Sequence, residues 1–369
     1  MQLREMCCIT MGQSPNSDSY NEEREGVPFF QGNADFGERY PNVRTWCKEP
    51  KKMAKNGDVL ISVRAPIGAI NYAREICCIG RGLAALSPKT DKVSKEFIFW
   101  VMKSRCKELQ MKGTGSTFKA ISKKILEEVK IPLYPLEKQI EYSLVLEKVY
   151  AIIETYKSEL QKLDELIQAR FVELFGDPTI NTKKYPLKLL PEIAEYWNGL
   201  TYKPDDVADK GTIVLRSSNI QNMTLDFEDI VRVNCKIGEK KYVHENDILM
   251  CSRNGSARLV GKVALIKNIE EPMSFGAFML IIRSAYYPYL LTYFQMPAFR
   301  AQIVTGATTT INQITGRMLD NVKLPVPDMY VINQFADFVN QVHKSKVEIQ
   351  QALEKTQLLF DSLMQQYFR

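Results

Sequence analysis

One uninterrupted stretch, residues 136–175, constrains the fold more than any other feature of the sequence. It contains no proline or glycine and is rich in glutamate, lysine, glutamine and leucine, which favour helix. At about 1.5 Å per residue the predicted helix is roughly 60 Å long. Ordinary globular helices are much shorter, so we expect the rest of the chain to be organised around this one.

Apolar residues follow one stripe of this stretch at spacings of three and four, which is the pattern of a coiled-coil seam. Arg170 interrupts the stripe. The predicted helix-pairing residues are Val149, Ile153, Tyr156, Leu160, Leu163, Ile167 and Leu174. An amphipathic helix alone in water leaves such a stripe exposed, so the pattern predicts a partner helix.

The same stripe recurs 193 positions later, where Val342 corresponds to Val149. Lys346 and Thr356 are its polar members. Its predicted pairing residues are Val342, Ile349, Leu353, Phe360, Leu363 and Tyr367. We interpret the two stretches as two copies of one helix that pair antiparallel as a coiled coil.

The segments that precede the two helices repeat as well. The run GDVL at 57–60 returns as NDIL at 246–249, Arg64 corresponds to Arg253, and KIP at 130–132 returns as KLP at 323–325. Short strands are predicted at 26–31, 58–63, 69–73 and 83–87, and a helix at 95–111.

The repeat predicts an α+β fold in which two tandem mixed α/β domains are each followed by a long helix, with pseudo-twofold symmetry. The predicted boundaries are 1–134 for the first globular domain, 135–177 for the central helix, 178–327 for the linker and second globular domain, and 328–369 for the distal helix. In this arrangement the helices act as a spacer between the globular domains.

Composition narrows the function classes. The net charge of +6 is compatible with nucleic-acid binding but does not establish it. Eight cysteines without a C-x-x-C motif and only two histidines argue against structural zinc or a disulfide framework. No run of 18 apolar residues and no signal-peptide pattern occurs, so the sequence predicts a cytoplasmic protein that does not enter a membrane.

Catalytic motifs are missing at the places where they would be needed. The stretch 255–262 has five residues between its glycines instead of four and lacks the Ser or Thr of a phosphate loop. Asp205 and Asp209 crowd into one turn-like stretch, unlike a nuclease carboxylate cluster. No Asn-Pro-Pro-aromatic motif of adenine methylation is present. The sequence therefore predicts a noncatalytic chain that holds no metal or cofactor of its own.

Polar side chains on predicted loops are of the kinds that contact base edges and phosphates. In the first globular domain the candidates are Gln31, Asn33, Arg39, Arg44, Arg64, Arg81, Thr114, Ser116 and Lys119. In the second they are Arg216, Ser217, Ser218, Asn219, Arg253, Asn254, Arg258, Thr308, Thr309 and Asn312. Most such residues in any protein are solvated loop or turn residues. Arg64 and Arg253 are distinguished from the others by the repeat.

Several motifs together resemble the specificity subunit of type I restriction-modification enzymes. They are FFQGNAD at 29–35, GDVLISVRAP at 57–66, the Gly-Ser-Thr loop followed by IS at 121–122, and FxxLFGD at 171–177. The resemblance covers essentially the whole chain. It implies two target-recognition domains that each read half of a bipartite, asymmetric duplex DNA sequence, held apart by helices that dock two methylation subunits.

The same resemblance implies that restriction subunits join the complex. S-adenosylmethionine, ATP and magnesium would then be used by those partners and not by this chain. A side expectation is that Phe171, Phe175, Phe360 and Phe368 are partly exposed, because they would pack on methylation subunits.

Two other function classes remain open from the residues alone. A coiled-coil scaffold whose globular domains bind proteins would share the same repeat, and an enzyme in its own right would require motifs that the sequence lacks. Two half-sites on a stiff duplex need a fixed separation, which favours DNA reading over a protein scaffold.

Overall fold

The computed structural model describes residues 1–114, 119–221, 223–303 and 313–369. The chain forms two compact units: unit 1 comprises Met1–Ser158 and Ile349–Arg369, and unit 2 comprises Glu159–Glu348. Each unit thus contains one globular segment and part of both long helices. The boundaries predicted near 134, 177 and 327 stay predictions. Four of the predicted DNA-binding residues lie outside the described residues, namely Ser116, Thr308, Thr309 and Asn312.

Two sheets form the body of unit 1. Its strands are β1 (Cys7–Met11), β2 (Tyr20–Asn21), β3 (Val27–Phe30), β4 (Thr45–Cys47), β5 (Met53–Ala54), β6 (Val59–Ser62), β7 (Ile70–Tyr72), β8 (Cys77–Ile79) and β9 (Leu83–Pro88). An antiparallel sheet has the order β1-β9-β6-β7, and a mixed sheet has the order β2-β4-β3-β8-β5. The short helices are α1 (Leu3–Met6), α2 (Lys95–Ser104), α3 (Cys106–Met111) and α4 (Lys123–Glu127), followed by the long α5 (Leu136–Phe175).

Strand β6 lies between two hydrophobic cores, which explains its continuous apolar sequence. Val59 and Ile61 face a core that includes α2, whereas Leu60 faces a second core shared with the mixed sheet. Both faces of the strand are covered, so every side chain in it is buried. The predicted strands at 58–63, 69–73 and 83–87 are confirmed, but the predicted helix 95–111 is two helices separated at Arg105.

Unit 2 repeats this plan. Its strands are β10 (Leu187–Leu189), β11 (Glu195–Asn198), β12 (Val207–Leu215), β13 (Ile220–Gln221), β14 (Thr224–Leu225), β15 (Arg232–Val233), β16 (Ile248–Cys251), β17 (Val263–Leu265), β18 (Met273–Phe275), β19 (Met279–Arg283) and β20 (Lys323–Pro325). Its sheets have the orders β11-β19-β16-β17, β15-β12-β18, β10-β20 and β13-β14. The helices are α6 (Tyr287–Tyr293), α7 (Pro297–Ile303), α8 (Gly316–Asp320) and the long α9 (Met329–Phe368).

The long helix α5 begins and ends at the predicted residues. Within unit 1 its first part packs against the last part of α9. Tyr142 stacks on Tyr367 with ring centroids 4.0 Å apart, and Tyr150 contacts Phe360 with centroids 6.0 Å apart. Residue numbers rise along one helix as they fall along the other, so the helices are antiparallel here.

Unit 2 contains the other half of the same pairing. Asp164 of α5 forms an ion pair with Lys346 of α9 at 2.6 Å, and Phe171 meets Phe335 edge to face with centroids 5.6 Å apart. The order of these contacts is again antiparallel. The paired long helices predicted from the sequence are confirmed within each unit.

The thirteen predicted pairing residues are all shielded from solvent to some degree. Five are buried, namely Val149, Ile153, Ile167, Val342 and Phe360. Eight are partly buried, namely Tyr156, Leu160, Leu163, Leu174, Ile349, Leu353, Leu363 and Tyr367. The stripe read from the sequence is therefore the packed face of both helices.

Each of the three polar residues in the seam makes a different contact. Lys346 bonds to the Asp164 carboxylate, and the Thr356 hydroxyl donates to the Ala352 carbonyl one turn back, at 2.7 Å. Arg170 lies over the Phe338 ring at 5.6 Å. The Lys346 ammonium and the Thr356 hydroxyl are thus paired, and the Arg170 guanidinium forms an ion pair with Glu173 at 2.8 Å, so the seam continues through all three.

The predicted exposure of four phenylalanines on the helices is wrong. Phe171, Phe175, Phe360 and Phe368 are 0%, 2%, 6% and 2% exposed. In unit 2, Phe171 stacks on Tyr289 with centroids 5.3 Å apart; in unit 1, Phe368 and Phe360 lie in the core that contains α2. These rings attach the helices to their own globular segments, which leaves none of the four available to a partner.

Candidate nucleic-acid interface

Polar residues of unit 1 meet at one edge of the mixed sheet. Strands β3 and β8 are parallel and end at this edge, and the antiparallel β4 begins there. Gln31 directly follows β3, Arg44 directly precedes β4, and Arg81 lies two residues beyond β8; all three are exposed. The topology therefore brings together three residues that are distant in the sequence.

Hydrogen bonds hold this edge in one arrangement. The Ser14 hydroxyl donates to Gln31 Oε1 at 3.0 Å and accepts from the Arg81 amide at 3.3 Å. The Gly82 amide donates to the Gln31 carbonyl at 3.1 Å. Gly82 permits this approach, because a Cβ at its position would lie 2.5 Å from that carbonyl oxygen. The backbone thus fixes where Gln31 and Arg81 project.

Further polar residues lie beside Gln31 and Arg81, on the segment that follows β6. The Val63 amide donates to the Gly82 carbonyl at 2.9 Å, which places Arg64 beside the turn that carries Arg81. Arg64 pairs with Ala120 in an isolated β-bridge, and Thr114 pairs with the same residue. Lys119 is adjacent and exposed. We call Gln31, Arg64, Arg81, Thr114 and Lys119 the unit 1 row.

Asn33 begins a single 3-10 turn just beyond Gln31 and is partly buried. The Asp35 carboxylate of this turn accepts from the amides of Gln31, at 2.7 Å, and Gly32, at 3.2 Å. Its charge is therefore directed at the protein backbone. The side chains of the unit 1 row carry three positive charges and no negative one.

Arg39 does not belong to this surface. Its side chain is 19% exposed, and its guanidinium lies over the rings of Phe99, at 4.4 Å, and Trp100, at 5.2 Å, and forms an ion pair with Glu147. The predicted DNA-binding role is corrected here, because the charge is already committed inside unit 1. Lys103 shares the cluster, over the Tyr150 ring at 3.9 Å. Burial, and then the charge of Arg39, lower the pKa of the Lys103 ammonium to about 8.

Unit 2 forms a related edge. Strands β12 and β18 are parallel and end together, so Arg216 lies beside the Gly276–Met279 turn. The neighbouring β16 and β19 are antiparallel, with Cys251 opposite Met279, so Arg253 and Phe278 meet at the same place. The Phe278 carbonyl accepts from the amides of Ser252, at 2.9 Å, and Arg253, at 3.1 Å.

These strand ends surround an open cleft of about 1090 Å³. Five of the residues predicted to bind DNA line it, namely Arg216, Ser217, Ser218, Arg253 and Asn254. Tyr202 and Phe278 are among its other lining residues. The cleft thus combines guanidinium, hydroxyl, amide and aromatic groups within one surface.

Three of the predicted residues in this cleft, Arg216, Ser217 and Asn254, form bonds with neighbours. Arg216 forms an ion pair with Asp229 at 2.7 Å, and the Asn254 side-chain amide donates to the Ser217 hydroxyl at 3.2 Å. Arg253 lies over the Phe278 ring at 5.2 Å and forms no ion pair with the described residues. Arg253 is therefore the cation of the cleft that is free to meet an external acceptor.

Asn219 has a structural role, which corrects the prediction that it contacts DNA. It is 1% exposed, its Oδ1 accepts from the Arg216 amide at 2.8 Å, and its Nδ2 donates to the carbonyls of Asp226 and Asp229, both at 2.9 Å. All its hydrogen-bonding groups are used to shape the loop that carries Asp229. Arg258 is exposed on a short 3-10 turn and does not line the cleft.

The sequence reading missed several residues of these surfaces. Lys51 and Lys52 are exposed beside the unit 1 row, since the Lys52 carbonyl accepts from the Ile79 amide next to the Arg81 turn. In unit 2 the missed residues are Tyr202, Asp229 and Phe278. The turn Gly276–Met279 has the same closing hydrogen bond as Gly80–Leu83, but the two turns share only their first glycine in sequence, so the repeat does not identify Phe278. Nothing in the local sequence of Tyr202 indicates its place in the cleft.

Within the part of the chain that the structure describes, no grouping of His, Cys, Asp and Glu side chains is suited to hold a metal ion. Among those same residues, no helix combines sufficient length with the apolar character that crossing a membrane requires.

The sequence of this chain is similar to a known protein family and to several known proteins. A family model described as "Type I restriction modification DNA specificity domain" matches residues 1–165 and 183–358. A Methanocaldococcus jannaschii protein named as the MjaX specificity subunit of a type I restriction enzyme is 45% identical over 157 residues, which cover 42% of this chain and 37% of that protein. The chain thus spans well under half the length of this relative.

Two longer matches are more distant. The EcoBI type I restriction enzyme specificity subunit of Escherichia coli is 20% identical over 98% of this chain and 83% of that protein. The crystal structure of a type I restriction-modification S subunit from M. genitalium superposes with a TM-score of 0.61 at 14% identity, covering 100% of this chain and 95% of that one. This second likeness shows a shared fold along the whole chain.

Proposed function

The chain belongs to the type I restriction modification DNA specificity family, and we propose that unit 1 and unit 2 each read one half of a bipartite, asymmetric DNA sequence. Specificity subunits of this family recognise DNA targets. The observation that carries the finer proposal is the unit 2 cleft, where five residues selected from sequence line one surface. The unit 1 row supplies a second, differently composed surface for the other half-site.

The chemistry of both surfaces suits duplex DNA. Exposed arginines can pair bidentately with guanine, and Gln31 can pair in the same way with adenine. Lys119, Lys51 and Lys52 are exposed cations suited to phosphates, which fix register without reading sequence. The two surfaces differ in their side chains, which is what reading two different half-sites requires.

We propose further that the continuous helices α5 and α9 set the number of unread base pairs between the half-sites. Each helix contributes residues to both units without interruption. In this proposal the length of the helices is the dimension that sets the gap between the half-sites.

Partner subunits would carry the reactions, with S-adenosylmethionine, ATP and magnesium bound there. We propose that two methylation subunits dock on the exposed apolar residues of the helices, since the four helix phenylalanines are buried, and that restriction subunits join that complex. In unit 1 the exposed set includes Ile140, Leu144, Ile152, Leu358 and Leu359, of which Leu358 is 70% exposed. Apolar side chains clustered on a surface favour protein contact.

Co-purification tests the docking proposal. Leu358→Asp should lose the methylation subunit, because a charge replaces an apolar contact, while Lys355→Asp on the same helix should retain it. Equal retention by both variants would move the docking surface elsewhere.

Selection from a random duplex library tests the reading itself, using the purified full-length chain. We expect two fixed blocks separated by unread base pairs, bound at least about a thousandfold more tightly than scrambled DNA at one salt concentration. The chain alone should neither methylate nor cleave the selected duplex. A single contiguous site, or equal affinity for scrambled DNA, would contradict the proposal.

A further inference from the structure

The turns Gly80–Leu83 and Gly276–Met279 are equivalent in backbone but differ in side chains. The first closes with the Leu83 amide donating to the Gly80 carbonyl at 3.0 Å, and the second with the Met279 amide donating to the Gly276 carbonyl at 2.8 Å. The two central residues are Arg81 and Gly82 in unit 1, and Ala277 and Phe278 in unit 2. The tip is therefore cationic in one unit and aromatic in the other.

A glycine contact fixes each tip against the strand beside it. A Cβ at Gly12 would lie 2.1 Å from the Gly80 carbonyl oxygen, and one at Gly199 would lie 2.2 Å from that of Gly276. Such distances leave no room for a side chain, so each turn approaches its neighbouring strand closely. The backbone of each tip is therefore packed tightly against the residue that follows β1 or β11.

Phe278 is 58% exposed although it lies within a cleft rich in polar groups. The Arg253 guanidinium covers one part of its ring at 5.2 Å, and the Phe278 carbonyl binds the Arg253 amide. Ring and guanidinium therefore lie side by side in the cleft. A ligand that satisfies both must present an apolar contact next to a hydrogen-bond acceptor.

The major groove offers that combination in one form. Thymine C5-methyl is the apolar group of the base edges, and guanine O6 and N7 are the acceptors that pair with arginine. We infer that Phe278 contacts the C5-methyl group of a thymine adjacent to the guanine that Arg253 reads. This rests on the proposed function of unit 2, and it makes Phe278 a specificity-determining residue that unit 1 lacks.

Removing single methyl groups from the DNA tests the inference. The full-length chain is titrated with its selected duplex in which each thymine in turn is replaced by deoxyuridine. We expect one position in the half-site of unit 2 to bind about fourfold more weakly, the worth of one buried methyl group. In Phe278→Ala the thymine and deoxyuridine duplexes should bind equally.

Phe227→Ala is the matched control, because Phe227 is 44% exposed in the same unit but does not line the cleft. The Phe227→Ala variant should still bind the thymine duplex about fourfold more tightly than the deoxyuridine duplex. Thermal unfolding of the Phe227→Ala and Phe278→Ala variants should match that of the wild-type chain. No effect of deoxyuridine anywhere, or a ratio that survives in Phe278→Ala, would overturn the inference. A Phe278→Ala loss shared equally by all sequences would instead indicate a wedge between base pairs and also overturn it.

Failure here is separable from failure of the proposed function. If Arg253→Ala relaxes one position of the half-site while deoxyuridine has no effect, unit 2 reads DNA without the thymine contact. If neither matters and scrambled DNA binds equally well, the proposed function fails.

Discussion

Arg64 and Arg253 occupy the same position in the hydrogen-bond pattern of their units. Each lies two residues beyond its strand, β6 or β16, and each forms an isolated β-bridge, with Ala120 and Gln313 respectively. The Ser62 hydroxyl donates to the Arg64 carbonyl at 2.8 Å, and the Cys251 thiol donates to the Arg253 carbonyl at 3.7 Å. The repeat thus presents one exposed guanidinium per unit at an equivalent place.

Arg39 is held inside unit 1 whereas Arg44 is exposed, so substitutions at the two positions should affect stability and DNA binding differently. Arg39→Met should destabilise unit 1 by about 1–3 kcal/mol, because the contacts of its guanidinium with aromatic rings and with Glu147 are lost. Arg44→Met, at an exposed position, should change stability by less than about 0.5 kcal/mol and weaken DNA binding. Thermal unfolding and DNA titration of both variants check this. Unchanged unfolding with weaker DNA binding for Arg39→Met would return Arg39 to the interface.

The lowered pKa of the Lys103 ammonium predicts that the stability of unit 1 depends on pH. Its folded pKa of about 8 lies below the ordinary value of 10.5, so between these pH values the unfolded chain binds more protons and the free energy of unfolding rises with pH. The cost of the buried charge is fully present below pH 8. Lys103→Met should therefore be more stable than wild type near pH 7, with a difference that shrinks towards pH 10.5.

Unfolding midpoints across this pH range, for Lys103→Met and for Lys107→Met at an exposed position of α3, measure the effect. The Lys107 variant should follow wild type throughout. A constant difference between Lys103→Met and wild type would mean that the ammonium is not destabilised by burial.

Asn219→Ala should destabilise unit 2 by about 1–3 kcal/mol, because it removes the buried side-chain amide that donates to the carbonyls of Asp226 and Asp229 and accepts from the Arg216 amide. Asn219→Asp should also be destabilising, since a carboxylate would face the same two carbonyl oxygens. Ser218→Ala, at the exposed neighbour, is the control. Near-wild-type unfolding of Asn219→Ala, together with a relaxed DNA preference, would contradict the structural role.

Helix α5 was predictable to the residue because its period, composition and flanking Pro135 and Gly176 all agree. The internal repeat was predictable because the apolar strand that it contains, 59–62 or 248–251, is buried on both faces and tolerates few changes. Strands such as β2, β5 and β8 were not found, since runs of two or three residues carry too little periodicity.

The interface was only partly predictable from residue type. Arginine is suited to DNA, but the sequence could not reveal that Arg39 is enclosed by aromatic rings from distant segments while Arg81 is left exposed. The prediction that Asn219 contacts DNA was wrong for the same reason. The sequence does not distinguish a loop asparagine that bonds to the protein backbone from one that bonds to a base. Tertiary packing decides between these roles.

Matched insertions test the proposed spacer. Four residues, about one helical turn, added near Ser158 and again near Gln351 should lengthen each helix by roughly 6 Å and keep the seam nearly in phase. Both points lie close to the boundaries of the compact units, so neither core is interrupted. We expect unchanged half-sites and an unread gap longer by one or two base pairs, at about 3.4 Å each. Retained activity with an unchanged gap would show that something other than the helices measures the distance.

Sequencing of methylated sites in cells that express the chain with its methylation partner tests the central claim most directly. We predict that Arg64→Ala relaxes a position in one half of the target and Arg253→Ala a position in the other. A lost bidentate base contact should cost about 1–3 kcal/mol of discrimination. If either substitution altered both halves of the target, independent reading by unit 1 and unit 2 would be contradicted.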